Sequence, residues 1–425
     1  MPSADTDVII IGGGIAGLTC ARHLCEHNIG VLLVEASGRI GGRLKTDRKD
    51  GFLLDRGYQV LQTAYPAARE ELDYDGLRLH SFTPGAVIRI GRRFYTVADP
   101  LRQPSDLIKT MTAPIGTIGD RLRLVRLAAR VMGRPLEDLF KEPEYPTLPY
   151  LRTFGFSEKM IDRFFIPFFG GVCLDRSLNA SSRVFNYILR MFASGDAALP
   201  ENGMEEIPLQ LAGKIPKKAI RTGSRVTSIE PGRVHLEDGE ILQSRVIVLA
   251  TEEPETRKLL GLTSESSRSV GETCFYFACD KAEWHSAYLT LNGNGEGPIN
   301  NLAIPSMVSP SYAPIGKSLI NVVVPGERSR NVEDLLDAVK NQLKEWYGSE
   351  IDKWQHLATY FIPHALPEQN PPTSDPFTTK PMVKDGVFIC GEYGSLPAIQ
   401  WALFTGKRTA TAVADHLRSA EISQP

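Results

Sequence analysis

Val8-Ile9-Ile10-Ile11-Gly12-Gly13-Gly14-Ile15-Ala16-Gly17-Leu18 is the stretch on which the reading of this chain turns. Four consecutive apolar, mostly β-branched residues predict a strand covered on both faces. The spacing Gly12-x-Gly14-x-x-Gly17 follows at once, and a helix begins at Leu18 and runs to Leu24. A second apolar strand, Val31-Leu32-Leu33-Val34, ends on Glu35. Each part answers a physical need of a bound dinucleotide. Gly12 permits a tight turn, Gly14 lets the backbone approach a pyrophosphate, and Gly17 lets helix and strand pack closely. The helix start offers unpaired N–H groups and the positive end of its dipole, to which Ile15 and Ala16 contribute. Glu35, with Ala36 behind it, suits the hydroxyls of an adenosine ribose and disfavours a 2′-phosphate, so NADP is not expected.

The next residues narrow the nucleotide. Ala36-Ser37-Gly38-Arg39-Ile40-Gly41-Gly42-Arg43 leads into a basic stretch and then Gly51-Phe52-Leu53-Leu54-Asp55-Arg56-Gly57. Gly41 and Gly42 let the backbone run close against a cofactor, and Arg43 can neutralise phosphate charge. Near the other end, Val387-Phe388-Ile389-Cys390 is an apolar strand closing on Gly391-Glu392, with a helix predicted from Pro397 through Ile399, Gln400 and Trp401 to Gly406.

This arrangement resembles the flavin-containing amine oxidase superfamily, which includes phytoene desaturases and protoporphyrinogen oxidases. The resemblance implies an α/β fold: a Rossmann-type FAD-binding domain with a discontinuous α+β substrate domain of antiparallel sheet and helices. It implies FAD, and assigns Gly41, Gly42, Arg43, Gly57, Gly391, Glu392, Ile399 and Gln400 to the flavin side. Mid-chain, Arg225-Val226-Thr227-Ser228-Ile229, a hairpin, and Val246-Ile247-Val248-Leu249-Ala250-Thr251 resemble the family's adenine strand, with Val226 making the contact through its backbone. Where relatives carry Gly-Ala, this chain has Gln400-Trp401-Ala402, which leaves Trp401 open to a packing role.

Bulk properties set bounds. A chain of 425 residues is longer than one simple core needs, so two domains are expected. Net charge −2 offers no general attraction to nucleic acid. No apolar run reaches the roughly 18–20 residues that span a bilayer. With a strand begun by Val8, no signal or transit peptide is expected. Cys20, Cys25, Cys173, Cys274, Cys279 and Cys390 show no CxxC spacing, which fits free thiols in a reducing compartment such as the cytoplasm. None suits a covalent flavin link, so the FAD is expected to be non-covalent.

The nucleotide strands are scattered, which divides the chain into 1–95, 203–262 and 384–425 for the FAD-binding domain and 96–202 and 263–383 for the substrate domain. Residues 100–181 read as helices broken by prolines, 273–324 as strands of an antiparallel sheet, and Val332–Tyr347 as an amphipathic helix. Gly203-Met204 starts a helix, read either as a turn approaching the flavin or as plain capping. Gly293–Gly297 reads as a loop. The Phe164–Val172 aromatic run suits a core or the wall of an apolar tunnel. In Asp120–Met132, Leu122, Val125, Ala129 and Met132 line one side, and Arg123, Arg126 and Arg130, with Arg134 just beyond, line another. The two readings are a domain helix with a solvated face and a peripheral contact with an anionic membrane.

No Ser/His/Asp set, Cys/His pair or metal-spaced cluster is present, so no catalytic side chain and no metal is nominated. His235, His285, His356 and His364 are scattered. Flavin N5 accepts hydride itself, so the protein need only place a carbon donor and exclude water. The leading expectation is desaturation or isomerisation of an apolar polyene or isoprenoid, with quinone or oxygen as electron acceptor. Glu272–Phe277 lacks the lysine of amine oxidases, and Ala365-Leu366-Pro367-x-Gln369 looks more like porphyrinogen oxidases, so amine or porphyrinogen oxidation is the alternative. A flavin-free binding protein like the Rab GDP-dissociation inhibitors is the reading from another class.

Overall fold

The computed structural model describes residues 6–262, 269–282, 284–326 and 331–422. Among them, eight strands form the first sheet, built around strand Thr6–Ile11. It lies parallel between Val31–Val34 and Ile241–Leu249, and Ile220–Arg221 extends the sheet beyond Val31–Val34. Val8, Ile9 and Ile10 are fully buried, which is why this strand reads as an unbroken apolar run. Ile241–Leu249 forks the sheet. Its first half pairs with the antiparallel hairpin of Val226–Glu230 and Arg233–Leu236, and its second half runs parallel to Val387–Ile389. One face is covered by helices Ile15–Glu26 and Ile399–Ile422, through Leu18, Ala21, Leu403 and Val413. A Cβ on Gly406 would stand 2.5 Å from the Ala16 carbonyl oxygen, so glycine sets how closely these helices cross.

The second sheet has seven strands among the described residues, in the order Gln355–Pro367, Ser269–Asp280, Lys317–Pro325, Asn301–Ala303, Leu289–Asn292, Gly85–Ile90 and Arg93–Ala98. Alternation along Ser269–Asp280 divides its side chains. Cys274, Tyr276 and Ala278 join the core shared with the first sheet, while Phe275, Phe277 and Cys279 pack beneath helix Val332–Tyr347 through Leu335, Val339 and Leu343.

One sequence expectation needs correction here. Gly85–Ala98 belongs to this second sheet, so the first nucleotide segment ends before Gly85 and not at residue 95. Ala86-Val87-Ile88 announces a strand, but periodicity does not say which sheet receives it. The sheet is also mixed, because Leu289–Asn292 runs parallel to Gly85–Ile90.

Helices Ile118–Met132, Thr147–Phe154 and Ser182–Ser194 pack around a separate core holding Leu127, Leu151, Phe165, Phe169 and Phe185. The aromatic run therefore divides. Phe165 and Phe169 are core, whereas Phe164 and Phe168 are half-buried with rings stacked 5.6 Å apart. Gly293–Gly297 is a loop, as expected.

Candidate functional site

The three glycines of the opening loop do different work. Gly12 has φ +113°, and a Cβ there would meet the Ala250 carbonyl oxygen at 2.6 Å. A Cβ on Gly17 would stand 2.0 Å from the Gly12 carbonyl oxygen. Both positions are closed by the fold itself. Gly14 has an ordinary φ of −81°, and the nearest atom to a Cβ there is Gly42 Cα at 3.9 Å. Among the described residues no atom would block a side chain there, and the free space before it is what an approaching pyrophosphate requires. Ile15 and Ala16 open the helix behind it, both buried.

Glu35 is fixed in place by its neighbours. Its carboxylate accepts from the Gly13 N–H at 2.8 Å, the Ser37 N–H at 2.9 Å and the Ser37 hydroxyl at 2.7 Å. Lys45 Nζ donates to the same hydroxyl at 2.8 Å. Ala36 is exposed beside it. The Ser224 N–H donates to the Glu35 carbonyl at 2.9 Å, which brings the strand carrying Val226 to this end of the sheet. Val226 is buried in the same apolar cluster as Val34.

The second glycine pair closes onto the first loop. The Gly41 N–H donates to the Gly13 carbonyl at 2.8 Å, with φ +118° at Gly41 and +58° at Gly42. Arg43 then forms an ion pair with Glu392, and its Nε lies 3.6 Å from Glu252. Burial alone would lower the guanidinium pKa, but Glu392 and Glu252 outweigh it and hold Arg43 above its ordinary value. Glu392 also accepts from the Glu253 N–H at 2.9 Å. Gly391 has φ +94° and donates its N–H to Thr405 Oγ1 at 2.9 Å. Separate stretches of chain therefore converge on the Gly12–Gly17 loop.

Ile399 begins the last helix and is half-buried. Gln400 departs from expectation. Its carboxamide oxygen accepts the Ala67 N–H at 2.8 Å, so the side chain is taken up in capping helix Pro66–Glu71. Trp401 is fully buried against Phe140, Tyr187 and Phe377, the packing role left open above. Cys390 is buried and its thiol meets that of Cys20.

Thr46, the turn after Gly203 and Tyr312 are gathered by Asp55, to which the sequence pattern assigned no role. Its fully buried carboxylate accepts from Thr46 Oγ1 at 2.5 Å, the Met204 N–H at 3.0 Å and Tyr312 Oη at 2.8 Å. Burial raises it to about 6 although these bonds pull the other way. A charged residue ending the apolar run Phe52-Leu53-Leu54 was the available signal. Gly203, at φ +103°, packs on Thr46, and the turn after it is tied to Thr46 and Asp55. Helix Glu206–Ala212 starts later than expected. Gly57 follows at φ +96°, where a Cβ would meet Glu272 Oε1 at 2.6 Å.

Together the open space before Gly14, the oriented carboxylate of Glu35 and the half-buried Arg43 fit a dinucleotide. A sequence profile of the flavin containing amine oxidoreductases matches residues 15–414. The mitochondrial protoporphyrinogen oxidase of Nicotiana tabacum is 26% identical over 179 residues, 40% of this chain and 35% of that protein. Flavin-containing amine oxidase A of Bos taurus is 52% identical over 44 residues, 10% of this chain and 8% of that one. The matches thus span about a third or less of these curated relatives. Among solved structures, cyclohexylamine oxidase from Brevibacterium oxydans superposes with a TM-score of 0.73 at 16% identity, covering 97% of this chain and 100% of that one.

Proposed function

This chain belongs to the flavin-containing amine oxidoreductase family, and from that premise we propose that it binds FAD non-covalently and oxidises an apolar small molecule at carbon. The observation that carries the reading is the convergence of Glu35, Gly41–Arg43 and Gly391–Glu392 on the Gly12–Gly17 loop, with free space before Gly14. Gly14 and the first turn of Ile15–Glu26 would hold the pyrophosphate, Glu35 the ribose, and the Val226 backbone the adenine. Arg43, Gly57, Gly391 and the start of helix Ile399–Ile422 would take the flavin side. When bound, the isoalloxazine would supply the hydride acceptor, with quinone or oxygen as the proposed final electron acceptor. The Cys20–Cys390 contact, away from solvent, supports non-covalent attachment.

The chain's own part is to bind the donor and keep water out. Half-buried Phe164 and Phe168 offer apolar surface for a polyene or isoprenoid. Amine or porphyrinogen oxidation is the second reading, supported by the names of the relatives and by a buried carboxyl on the second sheet, Glu272. Among the described residues no helix is long and apolar enough to cross a membrane. Peripheral docking on a bilayer from a reducing compartment is part of the proposal, through the exposed apolar stripe of Ile118, Leu122, Val125 and Met132.

The test is direct. Purified protein is expected to be yellow and to release a flavin on heating that co-elutes with FAD. Anaerobic titration with polyenes, porphyrinogens and polyamines should bleach it for one class. Colourless protein that cannot be reconstituted with FAD would overturn the reading.

A further inference from the structure

Beside the Gly57 loop, strand Ser269–Asp280 presents a buried carboxyl with no cationic partner among the described residues. Glu272 is buried and shares its face with Cys274 and Tyr276. The strand is irregular just before it, the register with Gln355–Pro367 shifting between Val270 and Glu272. Such bulges re-aim side chains beside active sites. Its Oε1 packs on the Gly57 backbone, and the Tyr58 N–H donates to it. One residue on, Gln59 Nε2 donates to the Arg43 carbonyl at 2.9 Å. Three consecutive residues thus connect Glu272 to the diglycine loop of the cradle.

Its surroundings are polar and only partly satisfied. No cation pairs with Glu272 among the described residues, and the Cys274 thiol hydrogen-bonds to it. Asn321, fully buried on the adjacent strand, touches that thiol, yet neither of its amide atoms finds a hydrogen-bond partner of good geometry. Gln59 Oε1 is likewise buried and unpartnered. A buried carboxyl without a cationic partner and orphaned amides each destabilise a fold, and apolar residues of similar size would pack better. Buried polar groups left waiting in one place are the signature of a site completed by a ligand.

We propose that Glu272 is the proton acceptor of this site, with Cys274, Asn321 and Gln59 orienting the polar end of the substrate. The inference rests on the flavin reading above. The donor loses a C–H bond with its electron pair to the bound flavin, the two-electron oxidant, and a neighbouring N–H, O–H or C–H bond releases its proton to the Glu272 carboxylate. The electrons left by that proton form the new double bond, and the resulting carboxylic acid returns the proton to solvent.

The ionisable groups on the elements packed here are Asp55, Arg56 and Tyr58 of the Gly57 loop, Cys274 and Tyr276 of the same strand, and Tyr360 and His364 of Gln355–Pro367. Burial raises Tyr58, Cys274, Tyr276 and Tyr360, Arg56 is paired with Asp47, and His364 meets Ser269. Burial also pushes Glu272 up to about 7, where a carboxyl can both take and return a proton.

The test uses FAD-loaded wild type and Glu272→Gln, reduced photochemically without substrate. Placing negative charge on the flavin should strengthen proton binding at a nearby carboxyl. The wild-type midpoint potential should therefore fall more steeply with pH above about 7 than that of the variant. Infrared spectra should show a protonated-carboxyl band that titrates near neutral pH and is missing in Glu272→Gln. Equal pH slopes in two fully loaded proteins would overturn the proposal while leaving the flavin reading intact. Absence of flavin from both proteins would instead overturn the flavin reading. Should the variant not fold, a wild-type slope showing no extra proton uptake overturns the proposal by itself.

Discussion

Gly14 and Gly17 lie three residues apart and should fail differently when replaced. A methyl on Gly17 has no room, so Gly17→Ala is expected to cost about 3 kcal/mol of stability and to lose flavin with the fold. Gly14→Ala should melt as wild-type apoprotein does and yet bind FAD at least about tenfold more weakly, because the methyl takes the phosphate's space. Thermal melts beside flavin titration separate the two outcomes. Glu272 gives a pH-dependent prediction. Its folded value of about 7 lies above the ordinary 4.5, so the folded protein holds that proton more tightly. The stabilisation is full below about 4.5 and is lost as pH rises through 7. Glu272→Gln carries no such dependence. It should be more stable than wild type by on the order of 3 kcal/mol at pH 8, with the gap closing near pH 4.5, measured by urea unfolding of the apoproteins. At this scale the glycines and Glu35 were legible because their spacing is local. Asp55, Glu272 and the turned Gln400 were not, since their meaning comes from partners far away in sequence.

Helix Ile118–Met132 joins two devices. At its start Asp120 is fully buried and accepts from the N–H and hydroxyl of both Thr117 and Ser157. Those bonds overcome burial and hold it down to about 2. Asp120→Ala should therefore lose about 2–3 kcal/mol of stability at neutral pH, read by denaturant unfolding. Along its outer side, Ile118, Leu122 and Val125 are each about two-thirds exposed, and Ile108 of the adjoining helix is 77% exposed. Leu127 and Val131 face the core instead. The arginines are only partly free: Arg130 and Arg134 hold Glu142, and Arg126 lies over Phe154. Wild type is expected to sediment with anionic liposomes at low salt, and Leu122→Glu with Val125→Glu to remain in the supernatant. Full recovery of wild type in the supernatant would remove the docking proposal. Periodicity located this helix, but the side left uncovered could be read only once its neighbours were in place.

For the molecule as a whole, the division into a nucleotide half and a second sheet was legible from the order of strands and breakers. The allegiance of Gly85–Ala98 was not, because a strand's partner is a long-range choice. The late segment is integral: Leu403, Ala410, Val413 and Leu417 lie in the same core as Leu18 and Ala21. A chain ending at Lys380 is expected neither to unfold cooperatively nor to take up FAD, as judged by circular dichroism melts and visible absorbance after refolding.

That connectivity also bears on biogenesis. Arg43 meets Glu392 across 349 residues, so a nascent chain leaving the ribosome at ~5–20 residues per second waits on the order of 20–70 s between the two. Throughout that interval Val8–Ile11 and the apolar side of Ile15–Glu26 lack their final cover, a natural target for chaperones during synthesis.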